Sequence, residues 1–228
     1  MVLIVLLIAA VLLGPSIWIK SVLKKYSEPA DRYKGTGGEL ARHLLDRLQL
    51  SHIGVEPVSA EQGGDHYDPA QGMIRLTPDK FSGRSLTAIT VAAHEVGHAM
   101  QHRDDYAPLR WRTRLIGVVA LSNKIGAGLL VAAPVVGLLT RAPVAGLLFA
   151  AGGLLTLGTG IFIHLVTLPT EFDASFNRAL PILTGDGILH PGDEKHARKL
   201  LNAAALTYVS AALMSLLSVG RWLAILRR

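Results

Sequence analysis

The 228 residues include no cysteine. A disulfide framework and a thiolate zinc site are both excluded, and the redox compartment leaves no trace in the composition. Also missing is any basic run interleaved with aromatics, so the formal net charge of +6 does not point to nucleic acid. Its placement matters more than its size, because Lys and Arg flanking membrane spans set their orientation. A third absence is positive charge ahead of the first apolar run, residues 1–19. A cleaved secretory signal carries a positive segment before its apolar run and a small-residue cleavage site after it. Here Lys20, Lys24 and Lys25 follow instead. Residues 1–19 therefore read as an uncleaved first transmembrane helix, with Gly14-Pro15 as a kink site, the N-terminus outside and the basic cluster in the cytoplasm.

What is abundant is apolar sequence. Half the residues are hydrophobic and mean hydropathy is +0.37, too apolar for an ordinary soluble domain. The expected architecture is mainly α, an integral membrane protein with about four transmembrane helices and a small α+β subdomain. After the first span, residues 20–114 form that water-soluble subdomain. Thr36-Gly37-Gly38-Glu39 fits a capping box opening a helix to about Leu50, with Leu40, Leu44 and Leu48 on one stripe. Short strands are expected at 54–59 and 73–77, with a turn-rich stretch at 65–69 between them. Pro78 ends the second strand, and Ser82 or Ser85 caps the next helix. Arg110, Arg112 and Arg114 precede a second span at 115–139, where Lys124 snorkels near its cytoplasmic end. A tight turn carries Arg141, and the Gly-rich residues 143–167 form the third span. Residues 168–200 are polar again, and 202–226 are a fourth apolar stretch. Positive charge suits a cytoplasmic side for the segments after span one, before span two and after span three; Arg221, Arg227 and Arg228 at the end break that rule.

Residues 85–102 read as one helix carrying His94-Glu95-Val96-Gly97-His98, an H-E-x-x-H pattern. Positions four apart share a helix face, so both imidazoles can reach one metal ion, and Glu95 can address a water held there. Randomly placing this chain's histidines and glutamates produces one such match about 1% of the time. The approach to the motif is small and apolar (Ala88, Ile89, Val91, Ala92, Ala93), as in a buried helix. Gly97 sits mid-helix, where glycine costs about 1 kcal/mol against Ala, which calls for a close-packing or access reason.

Two histidines need a third protein ligand, with the fourth position left open. It must lie on the same side as His94, and the segment 168–175 emerges there from span three, two crossings later. Glu171 and Asp173 are the candidate carboxylates, with Glu171 preferred; Pro169 would start a helix with both in its first turn. His102 continues the face of His94 and His98 as a supporting residue. His164 lies near the end of span three, and His43, His52, His190 and His196 read as surface or interface residues.

At this point the sequence resembles the YugP-type neutral zinc metallopeptidases of bacterial membranes. The resemblance is carried by DHYDP (65–69), LTP (76–78), AAHEVGHAMQH (92–102), YAPL (106–109), TLPTEFDAS (167–175) and AAALTYV (203–209). It implies a membrane-bound zinc protease of gluzincin type, with Zn²⁺ on His94, His98 and Glu171 and Glu95 as catalytic glutamate. The chain is similar, more distantly, to HtpX-type membrane proteases, which carry an aspartate four residues after the ligand glutamate. Ser175 stands there in this chain, and Asp173 is the substitute.

The expected function is a zinc metalloendopeptidase of the bacterial cell membrane, multi-pass, acting at the cytoplasmic face on membrane or membrane-adjacent proteins. Its partners would be a protein or peptide substrate and the lipid bilayer, with no nucleic acid. The strand at 73–77 either pairs with an extended peptide as an edge strand or is an ordinary core strand. His66, Tyr67 and Tyr208 are candidate oxyanion donors. The competing class is a non-catalytic membrane scaffold with a retained metal site. Structural zinc sites are usually closed by four ligands, and three stand out here.

Overall fold

The computed structural model describes residues 2–185 and 187–214; side chains are described except at 2–9, 143, 157, 158, 160–162, 164 and 165. The fourth apolar stretch is therefore described only as far as 214, and Arg221, Arg227, Arg228 and the His164 side chain lie outside the described residues. The chain is mainly helical and divides into two compact units. One comprises Ser16–Leu109 and Leu168–Thr207; the other holds the described residues up to Pro15, Arg110–Thr167, and 208–214.

In the first unit the centre is helix α4, Leu86–Arg103, following the end of α1 (Val2–Lys25, of which Ser16–Lys25 belong to this unit), α2 (Gly37–Arg47) and α3 (Pro78–Phe81). Ser85, not Ser82, caps α4, its Oγ accepting from the Ala88 amide at 3.2 Å. Nearly every residue from Leu86 to Gln101 is buried, as in a helix with neighbours on all sides. The capping box of α2 forms as read: Thr36 Oγ1 accepts from the Glu39 amide at 3.1 Å, and Glu39 Oε2 accepts from the Thr36 amide at 2.8 Å. Its deepest face runs through Ala41, Leu44 and Leu45, so Leu40 and Leu48 flank the core rather than fill it.

The sheet has three strands, β1 (Gly54–Pro57), β2 (His66–Asp68) and β3 (Met73–Leu76), in the order β1-β3-β2. β3 pairs in parallel with β1 and antiparallel with β2. Of the two readings of 73–77, the core strand holds: β3 is central, and its backbone is used on both sides. The turn-rich stretch at 65–69 contains β2, too short for its alternation to show in sequence. Its polar residues organise the turns around it. Asp65 Oδ1 accepts from the amide and hydroxyl of Thr77, and Asp68 Oδ1 accepts from the amides of Ala70 and Gln71.

The C-terminal part of this unit is α7 (Leu168–Phe172), a π-helical segment over Asp173–Ala179, α8 (Leu180–Gly185) and α9 (Glu194–Ala205). α9 buries Ala197, Leu200, Leu201 and Ala203 and packs against α4. The expected boundary near residue 201 thus falls inside a helix, because the small apolar residues after Lys199 continue its buried face. Asp193 before α9 is buried; it takes two hydrogen bonds from the Arg32 guanidinium at 2.7 Å each and one from Tyr33 Oη at 2.6 Å. Burial opposes its charge, but Arg32 and Tyr33 outweigh that and hold its carboxyl below the usual range.

In the second unit, α5 (Ala107–Leu139) and α6 (Pro143–Val166) follow one another through a tight turn. α5 starts earlier than the span at 115–139: the arginines mark where apolar sequence begins, not where the helix does. It is 33 residues long, about 50 Å at 1.5 Å per residue, and among the described residues is the one helix long and apolar enough to cross a membrane; Val144–Thr156 is a shorter apolar stretch. Leu130, Ala133 and Ala150 form the small contact between the two helices. Leu121, Val131, Leu138, Leu147 and Leu155 point outward, exposed.

Candidate metal centre

α4 presents His94 and His98 one turn apart, their rings edge to face at 4.7 Å between centroids. α7 presents Glu171. Nε2 of His94 lies 3.2 Å from Glu171 Oε2, and Nε2 of His98 lies 3.5 Å from the same oxygen. All three side chains are buried. Tetrahedral coordination at the ~2.0–2.1 Å bonds of zinc to nitrogen and oxygen spaces neighbouring ligand atoms by roughly 3.3 Å. The observed separations fit that spacing, and the donor set of two imidazoles and one carboxylate is one that zinc takes. Burial opposes charge on Glu171, but His98 and His94 beside it outweigh burial and hold its carboxyl well below the usual range.

The far side of each imidazole is held as well. Nδ1 of His94 lies 3.1 Å from Ser175 Oγ, which reaches the Leu201 carbonyl at 3.3 Å. With the proton on Nδ1, His94 donates to Ser175, Ser175 donates to Leu201, and Nε2 keeps its lone pair for a metal. Nδ1 of His98 lies 2.9 Å from Gln101 Oε1. Gln101 Nε2 donates to the Thr170 carbonyl at 2.7 Å and to Asp173 Oδ2 at 2.8 Å. Asp173 also accepts from Asn177 and Arg178. These contacts oppose its burial and keep its carboxyl below the usual range. Such partners fix the tautomer and ring orientation of ligating histidines.

Glu95 is buried beside His94 in sequence. The remaining candidates have hydrogen bonds of their own. His102 Nδ1 is 2.7 Å from Tyr67 Oη and is bonded there rather than to His94 or His98. The Tyr67 hydroxyl is pushed up to about 12 by burial and by the charge of Asp68. His66 Nδ1 donates to the Gly64 carbonyl at 2.9 Å. Tyr208 belongs to the other unit, where Arg112 donates to its hydroxyl. Sequence reasoning missed Gln101 as the partner of His98 and Ser175 as the partner of His94. The spacing held the signal: Gln101 is three residues after His98, and Ser175 four after Glu171, so each shares a helix face with a cluster residue.

A family profile described as "Putative neutral zinc metallopeptidase" matches residues 1–227. The chain belongs to this family. It is also 39% identical over 217 residues to the "Putative membrane protease YugP" of Bacillus subtilis (strain 168), covering 93% of this chain and 92% of that protein. No solved structure matches the chain. Among the described residues, His94, His98 and Glu171 form a buried group that could hold a metal ion, in keeping with the zinc named in the family's description.

Proposed function

We propose that this protein is a membrane-bound zinc metalloendopeptidase that hydrolyses peptide bonds of membrane or membrane-adjacent proteins. The observation that carries this is the His94–His98–Glu171 cluster: three ligand atoms within 4.8 Å of one another, with the back of each imidazole held by Ser175 and Gln101. His94, His98 and Glu171 hold the metal. Zinc bound there supplies Lewis acidity toward a water and toward the scissile carbonyl. Glu95 takes the proton of the attacking water as general base and hands it to the leaving amine. Ser175 and Gln101 keep both imidazoles as Nδ1–H donors while this happens.

Among the described residues the cluster has three ligands rather than the four that close a structural site, which favours catalysis over a scaffold role. Membrane attachment is supported by α5 and by the name of the Bacillus relative, a putative membrane protease. In our reading, spans at 1–19, 115–139, 143–167 and 202–226 anchor the protein, with the site at the cytoplasmic face, where Lys20, Lys24 and Lys25 follow the first apolar run.

The test is metal content and proteolysis of the full chain purified in detergent. Wild type is expected to hold one zinc per chain and to cleave an unfolded protein in a chelator-sensitive way. His94→Ala and Glu171→Ala are each expected to lose the metal. Zinc lost from His94→Ala but kept at one equivalent by Glu171→Ala would overturn the third-ligand assignment.

A further inference from the structure

We propose that Gln101 is a positioning residue of this site, tethering the second histidine to the segment that carries Glu171 and thereby setting metal affinity. The proposal rests on the metal reading above. Gln101 is fully buried and makes three hydrogen bonds: Oε1 accepts from Nδ1 of His98, while Nε2 donates to the Thr170 carbonyl and to Asp173 Oδ2. Thr170 directly precedes Glu171, and Asp173 stands two residues after it. One side chain therefore grips a histidine of α4 on one side and the backbone around the carboxylate ligand on the other.

The chemistry of an amide is required for this. The position must accept one hydrogen bond and donate two, and among side chains of this size only Gln does both. A glutamate could accept from His98, but its second oxygen would face the Thr170 carbonyl and the Asp173 carboxylate with nothing to donate. A methionine of similar volume offers neither bond. The tether is itself anchored: Arg178 bonds Asp173 and also Asp104 at the end of α4, so the network leaves α4 at Gln101 and returns to it three residues later. Each end of the metal cluster thus has its own clamp, Ser175 on His94 and Gln101 on His98.

The experiment uses the full chain in detergent, with zinc affinity read by chelator competition for wild type, Gln101→Met and Gln101→Glu. Removing an outer partner of a ligating histidine typically weakens metal binding by about 10- to 100-fold, and Gln101→Met is expected in that range. Gln101→Glu is expected not to rescue it. In zinc-loaded, ¹⁵N-histidine-labelled Gln101→Met, the Nδ1 proton of His98 is expected to exchange faster with solvent, while that of His94, held by Ser175, keeps its wild-type rate. Equal acceleration of both protons would indicate general loosening and overturn the proposal. So would wild-type affinity in Gln101→Glu, or affinity of Gln101→Met within twofold of wild type. Failure of the wild type to take up zinc would overturn the metal reading as well, so the two failures are distinguishable.

Discussion

Gly97 faces the backbone of Ala174 so closely that a Cβ on it would lie 2.6 Å from the Ala174 carbonyl oxygen. This contact explains the mid-helix glycine. α4 can approach the π-helical segment only where no side chain intervenes, and that approach brings Glu171, three residues before Ala174, to the two histidines. π-helical turns recur at functional sites; here the segment carries Asp173, Ala174 and Ser175, each of which touches α4 or the network around its histidines.

Gly97→Ala is therefore expected to force the two elements apart. Overpacking of a tight contact costs about 1–3 kcal/mol. The loss should appear as a lower melting temperature together with weaker zinc binding, because the displaced carbonyl lies in the same segment as the ligand. Thermal unfolding and chelator competition check both. Unchanged zinc affinity in a folded variant would mean that the spacing between α4 and Glu171 is not what Gly97 protects.

Glu95→Gln separates binding from chemistry. The amide cannot take a proton from water, so cleavage should fall by a factor of at least about 100, within the range general-base catalysis contributes, while zinc content stays at the wild-type level. The same variant should retain substrates in native membranes, where crosslinking and identification of bound proteins would name them. Wild-type cleavage by Glu95→Gln would remove this residue from the mechanism.

Much of this site was legible in the sequence, because helical spacing places His94 and His98 on one face whatever the tertiary structure. Glu171 was legible too, through a motif combined with its segment. The supports were legible only in part. Spacing puts Gln101 one turn from His98 and Ser175 one turn from Glu171, but the bond of Ser175 to His94 and those of Gln101 to Thr170 and Asp173 cross between elements and show only once these are brought together. β2 was hidden inside a turn-rich stretch because three residues cannot show an alternation. Helix ends misled in the opposite way: the arginines before residue 115 and the polar-to-apolar change near 201 mark changes of environment, and α5 and α9 run through them.

Ser175→Ala removes the acceptor of His94 Nδ1–H in a fully buried place. A buried donor left unsatisfied costs about 1–3 kcal/mol. The expected outcome is reduced zinc affinity with little change in the secondary structure, read by chelator competition and circular dichroism. Since Ser175 and Gln101 hold different histidines of one metal site, the combined variant should lose more affinity than either single one, with a coupling energy set by the Glu171 oxygen that both histidines face. A double variant no weaker than either single one would show that the two clamps act on one histidine rather than two.

Acid should loosen the first unit partly through Asp193. Its carboxyl is buried against Arg32 and Tyr33 and titrates below its ordinary value of 3.8. In the unfolded chain it takes up its proton near that ordinary value. Its contribution is therefore complete at pH above 3.8 and declines as pH falls through the lower folded value. Asp193→Asn removes both the charge that Arg32 bonds and the titration. At neutral pH the variant should melt a few degrees below wild type; toward pH 3 the difference should shrink, because wild type loses the same contribution on protonation. Melting curves of the two proteins between pH 7 and pH 3 measure this directly, and a gap that widens in acid would mean that Asp193 is held neutral in the folded protein rather than ionised against Arg32.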